Sequence, residues 1–452
     1  MTARDPASAQ QVVDRVRSAL TQSGVSSPGG GRSLPTSEGQ RGFDFRTLPE
    51  FEIHKLFRAV GDITGIQSPW YRMHDGRAAD TTSIEGRTVV NFASYDYLGL
   101  NGHPAIDAAA KAAIDRFGTS VSGSRLSSGE RQIHRDLEAA LARLHGTEDA
   151  LAFVGGHATN VSVIGQLFGP EDLIVTDAVI HNSVSEGVRI SGAKHILCPH
   201  NDLDAMDRIL RLNRARHRRA LIVVEGLYGM DGDMPDLAAL IRLKRRYNAW
   251  LMVDEAHSIG VLGDTGRGIA EEQNVDPAAV EIWMGTLSKS FASTGGYIAG
   301  SNDLIHLIKY GSPGFVYSVG LAPSVTAAAL AAIEAMKDET WRLGRLRQNS
   351  RAFLATAKRH GLDTGPSQGA AIIPVIIGSS PQTVMLTERL LARGYNAPPA
   401  LFPGVAENQA RLRFFMTSRH SPEQIESALA AVAEELAKVR SGPSIVDLVA
   451  RR

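Results

Sequence analysis

Apolar positions along the chain follow two spacings. Near the N-terminus Val12, Val13, Val16 and Leu20 form a short helical stripe, and residues 23–42 then read SGVSSPGGGRSLPTSEGQRG. A stretch so rich in Gly, Ser and Pro buries too little surface to offset the entropy of ordering, so residues 1–45 are expected to be a helix on a flexible linker. From Asn91 onward helical stretches, such as 106–117 and 133–144, alternate with short apolar runs at 149–154, 173–175, 220–224, 250–253 and 281–283. Runs of that length between helical segments predict parallel strands joined by crossovers, in a sheet covered on both faces. After Lys337 a long charged helix (338–360) leads into an apolar strand pair and a last helix near 421–440. The pattern predicts an α/β fold. An N-terminal arm (46–90) precedes a large, mostly parallel sheet domain (91–340), and a smaller C-terminal α+β domain follows (341–452).

Composition refines this by exclusion. The 452 residues are 43% hydrophobic and 21% charged, the balance of a chain able to bury a large core. Lys+Arg and Asp+Glu are 48 each, so the basic excess of a nucleic-acid-binding domain is missing. Cys198 is the only cysteine, which leaves no intramolecular disulfide and no multi-cysteine zinc site. No apolar run approaches the ~20 residues of a membrane span. The opening MTARDPASAQQ lacks a signal-peptide core. A cytoplasmic protein without a metal site is expected.

Four segments carry candidate chemistry, each at the end of a predicted strand, where open α/β sheets collect ligands. In FVGGHATN (153–160) a strand runs into Gly155 and Gly156 and then a helix beginning near Ala158. Free N–H groups and a positive dipole end suit a phosphate there, although a glycine pair alone is usually just a tight turn. WLMVDEAHSIG (250–260) delivers Asp254 to the sheet edge, followed by His257. A carboxylate there can keep a heteroaromatic N–H⁺ protonated, whereas alone it is as readily a helix cap. The letters DEAH do not make a helicase, because no Gly-Lys pair exists to form a Walker A loop. In WMGTLSKSFASTGGYIAG (283–300), Lys289 sits among small polar residues after a buried strand, with Thr286 nearby. Desolvation lowers such a lysine's pKa, as a Schiff-base amine requires. ARLRFFMTSRHS (410–421) places Arg411 and Arg413 on a strand, where an arginine can grip a carboxylate through two hydrogen bonds or simply face solvent. Phosphate cradle, ring-nitrogen acid, imine-forming amine and carboxylate clamp together are the equipment for pyridoxal phosphate acting on an amino acid.

With these residues in hand, the chain resembles the α-oxoamine synthases, a branch of the fold-type-I pyridoxal-phosphate enzymes. The branch includes 8-amino-7-oxononanoate synthase, 2-amino-3-ketobutyrate CoA ligase, 5-aminolevulinate synthase and serine palmitoyltransferase. The likeness runs from about Val89 to Lys438 through NFASYDYLGL, GSRLSSG, GGHATN, EGLYGMDGD, VDEAHSIGVLG and MGTLSKS. It implies that Lys289 forms the imine and later acts as acid and base. Asp254 would pair with the pyridine nitrogen, and His257 would approach the ring's phenolic oxygen. His181 would stack on the ring and touch the acyl group. The N–H groups of Gly156 and His157 and the Thr286 hydroxyl would bind phosphate, and Arg413 would hold the amino-acid carboxylate. Ser318 would reach the neighbouring subunit's phosphate, since the family's active sites lie between two chains of a homodimer.

Three positions depart from the family pattern. Gly229 stands where a serine is usual, a change that either alters the cofactor's electronics modestly or shifts the serine's task to His257. Tyr95 replaces an asparagine common in glycine-using members, near the substrate carboxylate. His157 replaces a common aromatic residue, a change that leaves its N–H in place. The implied reaction is a decarboxylative condensation of glycine, alanine or serine with an acyl thioester of coenzyme A or an acyl carrier protein. Its products are an α-amino ketone, CO₂ and free thiol. An aminotransferase is the nearest alternative, sharing lysine and aspartate. A decayed, non-catalytic partner subunit is disfavoured by the retention of Lys289, Asp254, His181 and Arg413 together. A nicotinamide-binding domain is disfavoured because no G-x-G-x-x-G follows a strand.

Overall fold

The computed structural model describes residues 68–443 apart from 403, together with 44–48, 51 and 55. The helix and linker expected over 1–45 lie, but for the last two residues, outside the described residues. Three short strands come first: β1 (His74–Asp75), β2 (Thr81–Ile84) and β3 (Arg87–Asn91). Helices α1 (Pro104–Phe117) and α2 (Gln132–His145) lead into a seven-stranded sheet. Its strands are β4 (Asp149–Phe153), β5 (Leu173–Asp177), β6 (Lys194–Cys198), β7 (Ala220–Glu225), β8 (Trp250–Asp254), β9 (Ile282–Thr286) and β10 (Gly296–Gly300). They lie in the order β4-β10-β9-β8-β7-β5-β6. Only β10 runs against the others, antiparallel to both β4 and β9.

Each of the five apolar runs is a strand, and four of them extend further at the carboxyl end than their apolar letters do. The added residues include Asp177, Glu225, Asp254 and Thr286, polar groups that the ladder carries to one edge of the sheet. Alternate side chains serve opposite faces. Leu173, Val175, Ile222, Val224, Leu251 and Val253 enter one core, and Ile174, Leu221, Val223 and Met252 the other. Complete burial of each such side chain stabilises the fold by about 2 kcal/mol. Covering helices are α3 (Gly156–Leu167), α4 (Asn182–Ser191), α5 (Leu203–Asn213), α6 (Leu237–Arg246), α7 (Ile269–Glu272), α8 (Asn302–Gly311), α9 (Pro313–Val316) and α10 (Pro323–Asp338). α3, α4 and α8 pack on the second face, and α1, α2, α5, α6 and α10 on the first.

The C-terminal part consists of α11 (Trp341–Arg359), β11 (Ile372–Ile376), α12 (Ser380–Ala392), β12 (Tyr395–Asn396), β13 (Pro399–Ala400), β14 (Arg411–Phe415) and α13 (Pro422–Ser441). β14 lies between β11 and β13, antiparallel to both. β12 pairs parallel with β3, so the chain around 81–91 shares a four-stranded sheet with the C-terminal part. The charged helix expected over 338–360 is α11, which starts three residues later than expected, after a break at Glu339 and Thr340 that separates it from α10. Glu339 fixes that break by accepting from Arg342 Nε (2.7 Å) and pairing with His103 Nε2 (2.8 Å).

Candidate active site

The phosphate end of the site is built by backbone. β4 passes into Gly155, and α3 begins at Gly156, two residues earlier than expected. As the first helical residues, Gly156 and His157 have N–H groups with no intrahelical acceptor, at the positive end of the helix dipole. A Cβ on Gly156 would lie 3.1 Å from Thr286 Oγ1, so glycine allows the cradle to close against the end of β9. Thr286 donates its hydroxyl to the Gly295 carbonyl (2.9 Å) and meets Ser288 Oγ at 2.7 Å. Ser288 is exposed and is the second hydroxyl at this cradle. It was not among the expected site residues, although TLSKS places its hydroxyl immediately before Lys289.

At the other end, Asp254 closes β8 in a buried setting. One carboxylate oxygen accepts from Asn160 Nδ2 (2.9 Å) and the other from the Ala256 N–H (2.9 Å). Both contacts use one lone pair per oxygen, leaving acceptor capacity for a ring N–H. Beside it in register on β7, Glu225 accepts from the Gly229 N–H at 3.0 Å. Burial and the neighbouring Asp254 push its carboxyl up to about 8. Lys289 lies in the loop after β9, its Nζ 5.8 Å from the Tyr95 ring centroid. Burial holds its ammonium below the ordinary lysine range despite the attraction of Asp254 and Glu225, and Arg413 adds to the depression. A larger neutral fraction is what a nucleophilic or basic amine needs.

His181 caps α4, and its Nδ1 lies 2.7 Å from Ser183 Oγ. Desolvation by its neighbours keeps the imidazole of His181, although exposed to the open cleft, below the usual histidine range, and burial does so far more strongly for His257. His157 meets His181 edge-on at 6.5 Å. His257 Nδ1 lies 2.7 Å from the hydroxyl of Tyr97, a fully buried residue that was not among the expected site residues. A Cβ at Gly229 would approach His257 Nε2 to 2.7 Å, so the imidazole occupies the space a side chain at 229 would need. Tyr95 packs edge-on against Phe415 (4.7 Å), and the Arg413 guanidinium lies over the same phenyl ring at 5.1 Å.

The two arginines of β14 separate cleanly. Arg411 is buried, pairs with Asp231 and donates to the Gln409 carbonyl. Arg413 donates Nη1 to the Gly229 carbonyl (3.0 Å), while its buried Nε has no hydrogen-bond partner among the described residues. The free donor is the one the carboxylate role requires. The remaining acid of EGLYGMDGD, Asp233, braces this loop by holding His200 (3.0 Å) and Asn201. In GSRLSSG, Arg125 clamps Glu130 and Glu138. Ser318 lies after α9, where Val319 bridges Ser124. It lines a small cavity with Phe153 and Val154, at the end of β4.

These groups suit pyridoxal phosphate: a backbone-and-hydroxyl anion cradle, a buried carboxylate with spare lone pairs, a desolvated amine and an orphaned guanidinium N–H. Among the described residues no group of His, Cys, Asp and Glu side chains is arranged to hold a metal ion. Nor is any described helix long and apolar enough to cross a membrane.

Comparison with known proteins agrees with this geometry. The profile of the family described as aminotransferase class I and II matches residues 87–432. A putative 8-amino-7-oxononanoate synthase of Gloeobacter violaceus is 40% identical over 368 residues, covering 81% of this chain and 94% of that protein. The 8-amino-7-oxononanoate synthase of Geobacter sulfurreducens is 39% identical over 391 residues, covering 85% and 96%. Among solved structures, the serine palmitoyltransferase of Sphingomonas wittichii superposes with a TM-score of 0.83 at 30% identity, covering 88% of this chain and 100% of that one. A serine palmitoyltransferase solved with pyridoxal phosphate gives the same TM-score at 27% identity, covering 88% and 99%.

Proposed function

The chain belongs to the α-oxoamine synthase branch of the class I and II aminotransferase family, and from that premise we propose how its own residues carry out the reaction. The protein is a pyridoxal-phosphate-dependent acyltransferase of fold type I. It condenses an amino acid with an acyl thioester, forming a bond between the α-carbon and the acyl carbon and releasing the thiol and CO₂. When bound, the cofactor supplies an electron-accepting ring that stabilises negative charge at the α-carbon of the amino acid.

In our reading, Gly156 and His157 N–H groups with Thr286 and Ser288 hold the phosphate. Asp254 keeps a proton at the pyridine nitrogen, and His257 approaches the phenolic oxygen from the space left by Gly229. Arg413 fixes the amino-acid carboxylate, turning its unpartnered Nε toward it, with Tyr95 and Phe415 walling the same pocket. Lys289 takes the α-proton and later returns one, its amine made available by desolvation. His181 covers the ring and meets the acyl group. Fixing the amino acid by its carboxylate, with Lys289 and His181 held around it, would be the main contribution of this arrangement.

The active unit is a homodimer with shared sites, and its thiol donor is coenzyme A or an acyl carrier protein. Ser318 supports the first point. It lies between Tyr317 and Val319, which are 86% and 49% exposed, close to Leu126 at 57%. That apolar rim around a hydroxyl is suited to a second copy of the chain. The cytoplasmic location expected from the sequence belongs to the same proposal.

One observation carries the reading: four residues distant in sequence are brought together through shared partners, Asp254 to His181 through Asn160 and Ser183, and Lys289 to Arg413 through Tyr95 and Phe415. The test is product analysis of the cofactor-loaded protein with glycine, alanine or serine and acyl thioesters of graded length. Condensation releases CO₂ and free thiol in equal amounts. Formation of an oxo acid without CO₂ would establish transamination in its place.

A further inference from the structure

Two buried polar side chains in the cleft, Asn160 of α3 and Ser183 of α4, have no place in the reaction as described. Asn160 Nδ2 lies 2.9 Å from Asp254 Oδ2 and 2.9 Å from Ser183 Oγ. Its amide orientation is determined by chemistry, because a flipped amide would set oxygen lone pairs against a carboxylate. The two amide hydrogens therefore go to Asp254 and Ser183. Having accepted one hydrogen bond, the Ser183 hydroxyl has a single hydrogen to donate, and His181 Nδ1 is 2.7 Å away. The Ser183 backbone N–H points at the same nitrogen (3.3 Å). With two donors converging on it, Nδ1 must be bare, and the ring proton resides on Nε2.

We propose that Ser183, oriented by Asn160, locks His181 as the Nε2–H tautomer, so that His181 meets the cleft as a hydrogen-bond donor and not as a base. Given the condensation proposed above, the natural acceptor is the carbonyl oxygen of the acyl thioester, where negative charge grows during attack. Ser183 and Asn160 are thus positioning residues. The same amide that orients the serine also steadies Asp254, so one short network couples the group at the ring nitrogen to the group above the ring. Asp254 of β8, Lys289 after β9, His157 of α3 and Arg413 of β14 are the charged or titratable groups that act on the imidazole. Its neutral state is favoured by desolvation and by the nearby cations, against the pull of Asp254.

The experiment uses cofactor-loaded protein carrying ring-¹⁵N histidine, with the His181 signals identified by their loss in His181→Asn. Wild type should show a pyridine-type Nδ1 and a pyrrole-type Nε2. Ser183→Ala should give mixed tautomers and a higher titration midpoint for His181. Its kcat should fall about tenfold, as expected when the partner orienting a functional histidine is lost, with the KM for the amino acid unchanged. Ser183→Thr should restore both the spectrum and kcat. A proton on Nδ1 in wild type, or a Ser183→Ala spectrum identical to wild type, would overturn the lock. A wild-type protein showing Nε2–H that condenses no amino acid with any thioester would instead remove the functional reading and leave the lock in place.

Discussion

The turn at Gly123–Gly129 and the cleft at the carboxyl edge of the sheet are both rich in charge, and both stand out as motifs, yet their charges are treated in opposite ways. In the turn, Arg125 meets two carboxylates through Nε, Nη1 and Nη2, and Glu138 also accepts from the Ala152 N–H (2.9 Å). Every strong donor has its acceptor. In the cleft Arg413 has a buried Nε with no partner among the described residues, and Lys289 is desolvated without an ion pair there. A fold tolerates unsatisfied buried polar groups only where something else completes them. Satisfied charge therefore marks a structural clamp, and unsatisfied charge marks the place of a ligand.

The largest effects should divide along that line. Lys289→Ala should abolish condensation by several orders of magnitude while leaving the unfolding temperature nearly unchanged, because its amine makes no ion pair among the described residues. Arg125→Met should do the reverse. Stranding two carboxylates costs about 3–5 kcal/mol of stability, while catalysis per folded molecule survives. Denaturant titration beside single-turnover activity checks both, and equal stability losses in the two variants would erase the distinction.

A finer cut lies within β14 itself. Arg413→Ala should raise the amino-acid KM roughly 100-fold, the loss typical of a charged group paired in a dry site, with little change in thioester affinity. Arg411→Ala should leave that KM almost alone and destabilise the protein by about 3 kcal/mol, since Asp231 is left buried without its partner. Michaelis constants for both substrates and a melting curve separate the two. An amino-acid KM raised only by Arg411→Ala would reverse the assignment of the two arginines.

That pair also shows what could be read from letters. The alternation in ARLRFF predicts two arginines on one strand, but not that Asp231, remote in sequence, claims one of them. The doubly covered sheet was legible because its strands are continuous apolar runs, and the motif glycines were legible because close approach of backbone leaves no substitute. β10 was hidden because GYIAG has the glycine content of a loop. Lys289, Asp254, His181 and Arg413 were singled out by residue type and family resemblance, whereas Asn160, Ser183, Tyr97 and Glu225 were not. Their letters are common in helices, turns and strands, and their importance arises only when side chains from β7, α3, α4 and the segment before α1 converge.

The smallest predicted effect separates two glutamates. Burial raises the carboxyl of Glu225 in the cleft, and Asp254 raises it further, to about 8. Burial also raises that of Glu130 in the turn, but its bonds to Arg125 outweigh this and bring it below the ordinary value. Between the ordinary glutamate pKa of 4.5 and about 8, folded Glu225 holds a proton that the unfolded chain has released, so stability must fall as pH rises through that window. Glu130 works the other way. Folded, it stays ionised where the unfolded chain is protonated, so its contribution is full above the ordinary pKa and disappears as pH falls below it. Glu225→Gln should therefore flatten the decline in melting temperature toward pH 8. It should not remove the decline, because buried Glu255 is likewise pushed up to about 8. Glu130→Gln should leave the alkaline slope untouched and weaken the protein mainly above pH 4.5. Parallel melting-temperature curves for wild type and Glu225→Gln from pH 5 to 8 would mean that Glu225 is ionised in the fold. Two charged carboxylates would then stand side by side at the ends of β7 and β8, and the cleft would lose its buried proton.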